Sequence, residues 1–485
     1  MIARFFGHFF ATMTLLATVA CAQAQDQESI TEEAPIGAAR FNDAMGESVP
    51  QSMTDVKMSF APVVDKAAPA VVNIYTSRTV NLPARSSFFD QFFGNAGPRQ
   101  QTSLGSGVIV SPDGVIVTNN HVIEGMSEIK VVFADRREFS AEKLLTDPKT
   151  DLAVLKIEID EPLPFLEFAN SETAEVGDIV LAIGNPFGVG QTVTTGIVSA
   201  LARTAVSISD YQFFIQTDAA INPGNSGGAL VDVDGKLLGV NTAIYSRSGG
   251  SNGIGFAIPA RLVQQVITTA MRGGDVQRPW VGAATETVTS ALAEALDLDR
   301  PAGAIINDIY KGAPLAKAGL KSGDVITAIE GKPVFDAATL RYRVGISEQN
   351  EPQSVEFVRN GKVQTADVSF NLPPEKPAPD ERTLSGRHPL TNVTIANLSP
   401  KFNEELNINP LLEGVVVVDV PRRSYARSSN LRRGYRLLTL NDREIKSTVD
   451  LEKALARPVS EWRFTVDTGK RVATWCTTSR GRRCR

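Results

Sequence analysis

The stretch Ile221-Asn222-Pro223-Gly224-Asn225-Ser226-Gly227-Gly228-Ala229-Leu230 sets one serine among glycines and then runs straight into apolar residues. A serine hydroxyl is weakly nucleophilic at its own pKa, so it needs a neighbouring base and backbone N–H groups aimed at the oxyanion that forms when it attacks a carbonyl. Glycines serve both needs. Without a Cβ they permit the turn that presents the hydroxyl, and they let the N–H groups of Gly224 and Ser226 converge on one point outside the chain. Clusters of this composition are most often plain surface turns, so Ser226 acquires meaning only through partners elsewhere.

The chain has three histidines. His8 lies in an apolar leader and His388 follows a proline-rich stretch, which leaves His121 in Val117-Thr118-Asn119-Asn120-His121-Val122-Ile123. There an apolar run stops at a polar pair, so the ring projects from a strand end. Asp151, in Thr150-Asp151-Leu152-Ala153-Val154-Leu155-Lys156, likewise opens an apolar strand and is placed to accept the imidazole N–H, fixing its tautomer and orientation. Taken singly, these are an ordinary structural histidine and a turn aspartate. Taken with the serine motif they form a catalytic triad, in the chain order His, Asp, Ser.

The same residues, Gly224-Asn225-Ser226-Gly227-Gly228, also satisfy the nucleophile elbow of α/β-hydrolases, where the histidine comes last and a helix follows the serine. Neither holds here. Only His388 lies beyond Ser226, and residues 229–240 read as a hairpin turning at Asp234-Gly235. Short apolar runs recur at 71–75, 107–110, 115–118, 129–133, 152–157, 179–183, 193–198, 213–216, 229–233, 237–241 and 254–258. So many short strands indicate barrels or a sandwich. Pro259 to Ala270 reads as a closing amphipathic helix with Leu262, Val263, Val266 and Ile267 on one face.

The motifs around His121, Asp151 and Ser226 resemble those of the HtrA (Do/DegP-like) serine proteases, and the resemblance covers about residues 60–372. It implies a mostly β fold: a chymotrypsin-like double β-barrel with the site between the barrels, followed by two PDZ domains. It implies a periplasmic, ATP-independent endopeptidase acting on unfolded or damaged polypeptides; a chaperone that holds such clients without cutting them is the alternative. His121 would move the proton, Asp151 orient His121, and Gly224 and Ser226 form the oxyanion hole. No metal or cofactor is expected. Trypsin-like relatives carry an aspartate six residues before the nucleophile; Ala220 stands there in this chain, so the pocket is expected to be apolar, with Ile254, Gly255 and Phe256 as one wall.

Trp280-Val281-Gly282-Ala283 and the run from Gly312 to Ile326 look like the first PDZ domain. The former would capture a peptide's terminal carboxylate while the peptide adds a strand, and Leu340 and Val344, on a helix expected at 336–346, would line the groove. Residues 414–421 and 430–438 echo that domain, with Asn430 in place of Gly319 and Tyr435 in place of Asp324. No carboxylate loop is recognisable near Leu390 to Ile395, so this copy is expected to pack or assemble rather than to capture peptide ends. A long loop, Thr76 to Ser103, carries Phe88-Phe89-Asp90-Gln91-Phe92-Phe93-Gly94. In HtrA-like proteins a loop there reaches another subunit, so the family implies a homotrimer or a multiple of it.

Over 485 residues, 42% apolar and 21% charged content is ordinary for a globular chain of about three domains. The net charge of −5 gives no global attraction to nucleic acid. Arg4, an apolar stretch from Phe5 to Ala20 and Ala22-Gln23-Ala24 fit a secretory signal over 1–24, leaving no transmembrane anchor after cleavage. Domains are expected at 25–59 (linker), 60–272 (protease), 278–372 (first PDZ), 373–389 (proline-rich linker), 390–475 (divergent PDZ) and 476–485 (basic tail). Cys476 and Cys484 either pair or remain thiols.

Overall fold

The structure is a computed structural model that describes residues 59–78, 101–185, 190–203, 213–244, 251–406, 408–457 and 459–478. The leader, residues 25–58, the aromatic loop 88–94 and the last seven residues lie outside them.

Two closed six-stranded barrels form the first part. The first contains β1 (Val71–Arg78), β2 (Gln101–Ile109), β3 (Val115–Asn119), β4 (Glu128–Val132), β5 (Glu138–Asp147) and β6 (Leu152–Ile157). The second contains β7 (Ile179–Gly184), β8 (Thr192–Arg203), β9 (Phe214–Thr217), β10 (Ala229–Val231), β11 (Leu237–Ile244) and β12 (Gly255–Pro259). Of the two architectures the strand pattern allowed, the chain adopts barrels, because each sheet closes on itself and leaves no edge strand. The apolar runs mark every strand except β5. That strand alternates exposed Glu138, Ser140 and Glu142 with partly buried Phe139 and Ala141, so it has no continuous apolar run.

The helix Ala260–Arg272 closes the pair: Leu262, Val263 and Val266 are buried in a core fed by both barrels, and Ile267 packs against it. Gly273, at φ of 73° and ψ of 143°, a conformation open mainly to glycine, ends it.

A six-stranded sheet follows, built from β13 (Ala283–Thr287), β14 (Ala304–Ile309), β15 (Val325–Ile329), β16 (Lys332–Pro333), β17 (Pro352–Arg359) and β18 (Lys362–Ser369), with a helix at Ala337–Gly345. Polar contacts join this unit to the barrels. Glu172 receives Lys332 Nζ at 2.7 Å and Tyr342 Oη at 2.8 Å and pairs with Arg343, while Phe213 stacks on Tyr342. Burial alone would raise the Glu172 carboxyl, but the Lys332 hydrogen bond, the Arg343 charge and the Tyr342 hydrogen bond outweigh it and hold it below the usual range.

The last sheet has seven strands: β19 (Arg382–Thr383), β20 (Thr394–Asn397), β21 (Val415–Asp419), β22 (Arg436–Leu440), β23 (Arg443–Glu444), β24 (Glu461–Asp467) and β25 (Val472–Thr478). It therefore begins inside the segment read as a linker and runs past residue 475, where the sequence offered only a basic tail. Cys476, on β25, is disulfide-bonded.

Candidate active site

Strands β3 and β6 are antiparallel neighbours, with Asn119 opposite Leu152. The residues just past that end of the ladder, His121 and Asp151, are brought side by side although 30 positions apart in sequence. His121 Nδ1 lies 2.7 Å from Asp151 Oδ2, and the His121 backbone N–H donates to Asp151 Oδ1 at 3.0 Å. The Asp151 carbonyl accepts the Asn120 N–H and the Asn119 side-chain amide, each at 3.0 Å. This clamp holds Asp151 at φ of 60°, a left-handed conformation that aspartate tolerates better than most residues. Asp151's side chain is 8% exposed and that of His121 25%.

Ser226 comes from the second barrel, on the turn before β10. Its hydroxyl donates to the Thr242 carbonyl at 3.1 Å, and the Thr242 hydroxyl donates to Asp151 Oδ2 at 2.7 Å. One residue of β11 thus touches both the serine and the aspartate. Thr242 and Ser106 are participants that sequence reading missed, since nothing near them in the chain marks them. Ser106, on β2, crosses between the barrels: its N–H donates to the Ser226 carbonyl at 2.8 Å, its Oγ donates to the Gly224 carbonyl at 2.6 Å, and its Oγ accepts the Asn185 N–H at 2.8 Å.

The glycines of the turn have separate reasons. Gly224 has φ of 101° and Gly227 φ of 83°, and a Cβ on Gly227 would sit 2.1 Å from the Ser106 carbonyl oxygen. With the Gly224 carbonyl turned toward Ser106, neither the Gly224 nor the Ser226 N–H has an acceptor among the described residues. Two such donors on either side of Asn225, whose own N–H donates to the Asn222 carbonyl at 3.0 Å, can receive an anionic oxygen.

The expected pocket residues are only partly brought together. Ala220 and Ile254 are partly exposed, and Gly255 opens β12 so close to Ile221 that a Cβ there would meet the Ile221 side chain at 2.7 Å. Phe256 faces the other way: it is 2% exposed and packs beside Phe214 in the barrel core, because alternation along β12 turns it inward. In the third sheet Trp280, Val281 and Ala283 are buried, and Gly282, at φ of 69°, passes its carbonyl to the Tyr310 N–H at 2.9 Å. Leu340 and Val344 have no exposed surface and belong to that sheet's core, so neither presents a wall to an open groove.

With this geometry in place, comparison with known proteins is specific. Residues 105–240 match the trypsin-like peptidase domain model and residues 279–370 match the PDZ domain model. The chain is 39% identical over 425 residues to a probable periplasmic serine endoprotease DegP-like of Chlamydia pneumoniae, covering 83% of this chain and 86% of the relative. It is 37% identical over 426 residues to the periplasmic serine endoprotease DegP of Escherichia coli (strain K12), covering 82% and 87%. Among solved structures, the HtrA-type protease AlgW with a tripeptide matches at 43% identity and a TM-score of 0.51, over 65% of this chain and 98% of that one. The same protease with a decapeptide matches at 44% identity and a TM-score of 0.50, over 65% and 99%. Two closed barrels, a PDZ sheet and these relatives together make the chain a serine endopeptidase that belongs to the HtrA family.

Proposed function

We propose that the chain is exported to the periplasm and there cleaves unfolded or damaged polypeptides through an acyl-enzyme. The observation that carries the reading is the continuous chain of contacts from His121 through Asp151 and Thr242 to Ser226. In the proposed sequence Ser226 Oγ leaves the Thr242 carbonyl, gives its proton to His121 and attacks the scissile carbonyl. The oxyanion settles on the Gly224 and Ser226 N–H groups, His121 protonates the leaving amine, and water then releases the acyl group by the same route. Asp151, fixed by the His121 and Thr242 donors, holds the imidazole in one orientation.

Both curated relatives are called periplasmic serine endoproteases, and the leader 1–24 agrees with export. Ala220, in place of a charged residue, favours small aliphatic side chains at the cleaved position. The first PDZ domain would recruit peptide ends along the β13 edge, as suits a family in which AlgW has been solved with bound peptides. A homotrimer is the assembly expected of the family.

Ser226→Ala tests the reading. If the triad works as a unit, degradation of an unfolded model protein should fall by about six powers of ten while binding of that protein persists. Degradation by the purified variant at the wild-type rate would remove Ser226 from the mechanism.

A further inference from the structure

The two PDZ sheets share a hydrogen-bond pattern that sets them in register. Ile306 N–H donates to the Asp324 carbonyl and Gly323 N–H to the Ile306 carbonyl; Val417 N–H donates to the Tyr435 carbonyl and Gly434 N–H to the Val417 carbonyl. Strand β20 of the last sheet therefore corresponds to β13 of the first, and the helix Thr448–Leu455 to Ala337–Gly345. The two edges differ. Among the described residues β13 pairs only with β14, whereas β20 pairs with β21 on one side and with β19 on the other.

We propose that residues 378–384 are an internal ligand of the second PDZ domain, lying where a PDZ domain takes a peptide end and closing that edge to other chains. Recognition of a peptide end by such a sheet uses an added antiparallel strand, a pocket for its last side chain and N–H groups for its terminal carboxylate. The chain supplies all three from within itself. Arg382 and Thr383 pair antiparallel with Ile395 and Thr394. The ladder is extended by the Asn397 N–H to the Pro379 carbonyl at 2.6 Å, the Asn397 side-chain amide to the Ala378 carbonyl at 3.0 Å, and the Leu384 N–H to the Val393 carbonyl at 2.9 Å.

Leu384 occupies the terminal position. Its side chain is 1% exposed within the core of the domain, and its carbonyl oxygen accepts the Asn392 N–H at 2.7 Å, in the place of one oxygen of a free carboxylate. The helix on the other side of the segment holds it as well: Thr448 Oγ1 donates to Asp380 Oδ2 at 2.6 Å, and Arg382 pairs with Glu452. Because the segment is tethered to its site, it competes at an effective concentration of about millimolar or more, which excludes weaker free peptides.

Hydrogen exchange on the full Ser226→Ala chain reads the closed edge directly. The Leu384 amide, which donates to the Val393 carbonyl, should exchange about 100-fold or more slower than unstructured chain, and exchange at the unstructured rate would overturn the proposal. A photoreactive decapeptide ending in leucine with a free carboxylate should not label 392–397 or 448–455 of this chain; labelling there at the level seen at 280–287 would also overturn it. Leu384→Asp, which sets a charge in the buried pocket, should lose the protection of the amide at 384 and gain peptide labelling at 392–397. Release of 379–384 without any gain of labelling would refute the ligand role. If Leu384→Asp unfolds the whole sheet, the two measurements without it, together with Leu384→Ala, decide. None of these readouts depends on cleavage, so failure here is separate from failure of the proposed protease mechanism.

Discussion

Asp151→Asn isolates what the carboxylate contributes to His121. Asparagine keeps the size of the side chain and tolerates φ of 60° as aspartate does, so the backbone clamp by Asn119 and Asn120 should survive. The carboxylate accepts three hydrogen bonds: the His121 backbone N–H on Oδ1, and His121 Nδ1 and the Thr242 hydroxyl on Oδ2. An amide has one acceptor oxygen. If that oxygen faces Nδ1 and Thr242, the NH2 group opposes the His121 N–H; if it faces the His121 N–H, the NH2 group meets Nδ1 and forces the other tautomer. Either way one or two charge-assisted contacts are lost, at about 1.5–3 kcal/mol each. The loss of about 3–6 kcal/mol that follows from two such contacts corresponds to two to four powers of ten in kcat/KM. The assay is cleavage of an unfolded protein substrate by wild type and variant, alongside circular dichroism to confirm the fold. A folded variant within tenfold of wild type would refute the role given to Asp151.

Arg278 and Asp147 form a buried pair, 5% and 6% exposed, that ties the segment after the barrels to the turn leading into Asp151. Arg278→Met should destabilise the barrels by about 3–5 kcal/mol, because it strands the Asp147 charge; a denaturation midpoint unchanged from wild type would contradict this. Burial pushes the Glu404 carboxyl up to about 7, with the Lys149 and Arg278 charges opposing and Glu405 reinforcing the shift. A raised acid pKa means that the folded state holds the extra proton, so this contribution to stability is present below the ordinary glutamate range and is lost as pH rises through 7. Glu404→Gln should therefore flatten the profile between pH 5 and 8 and gain on the order of 1–3 kcal/mol above neutrality. Thermal melts across that range check it, and parallel profiles would count against it.

Local chemistry made much of the molecule legible from sequence. The glycines around Ser226 mark a turn that needs left-handed backbone, and the apolar runs mark strands whose inward side chains build the barrel cores, so each leaves its record within a few residues. His121 and Asp151 were legible for the same reason: each closes or opens such a run, and strand ends gather where sheets are antiparallel. Contacts made across the fold left no such record. Thr242 and Ser106 are ordinary strand residues until closure of the two barrels brings one against Asp151 and Ser226 and the other against the Gly224 carbonyl. Phe256, Leu340 and Val344 read from sequence as pocket and groove walls, and packing turned them inward. Residues 378–384 carry the composition of a linker, yet within them Arg382 and Thr383 pair as a short strand with β20. Partners chosen by proximity in space, at separations of tens to hundreds of residues, have no periodicity or motif by which a sequence can announce them.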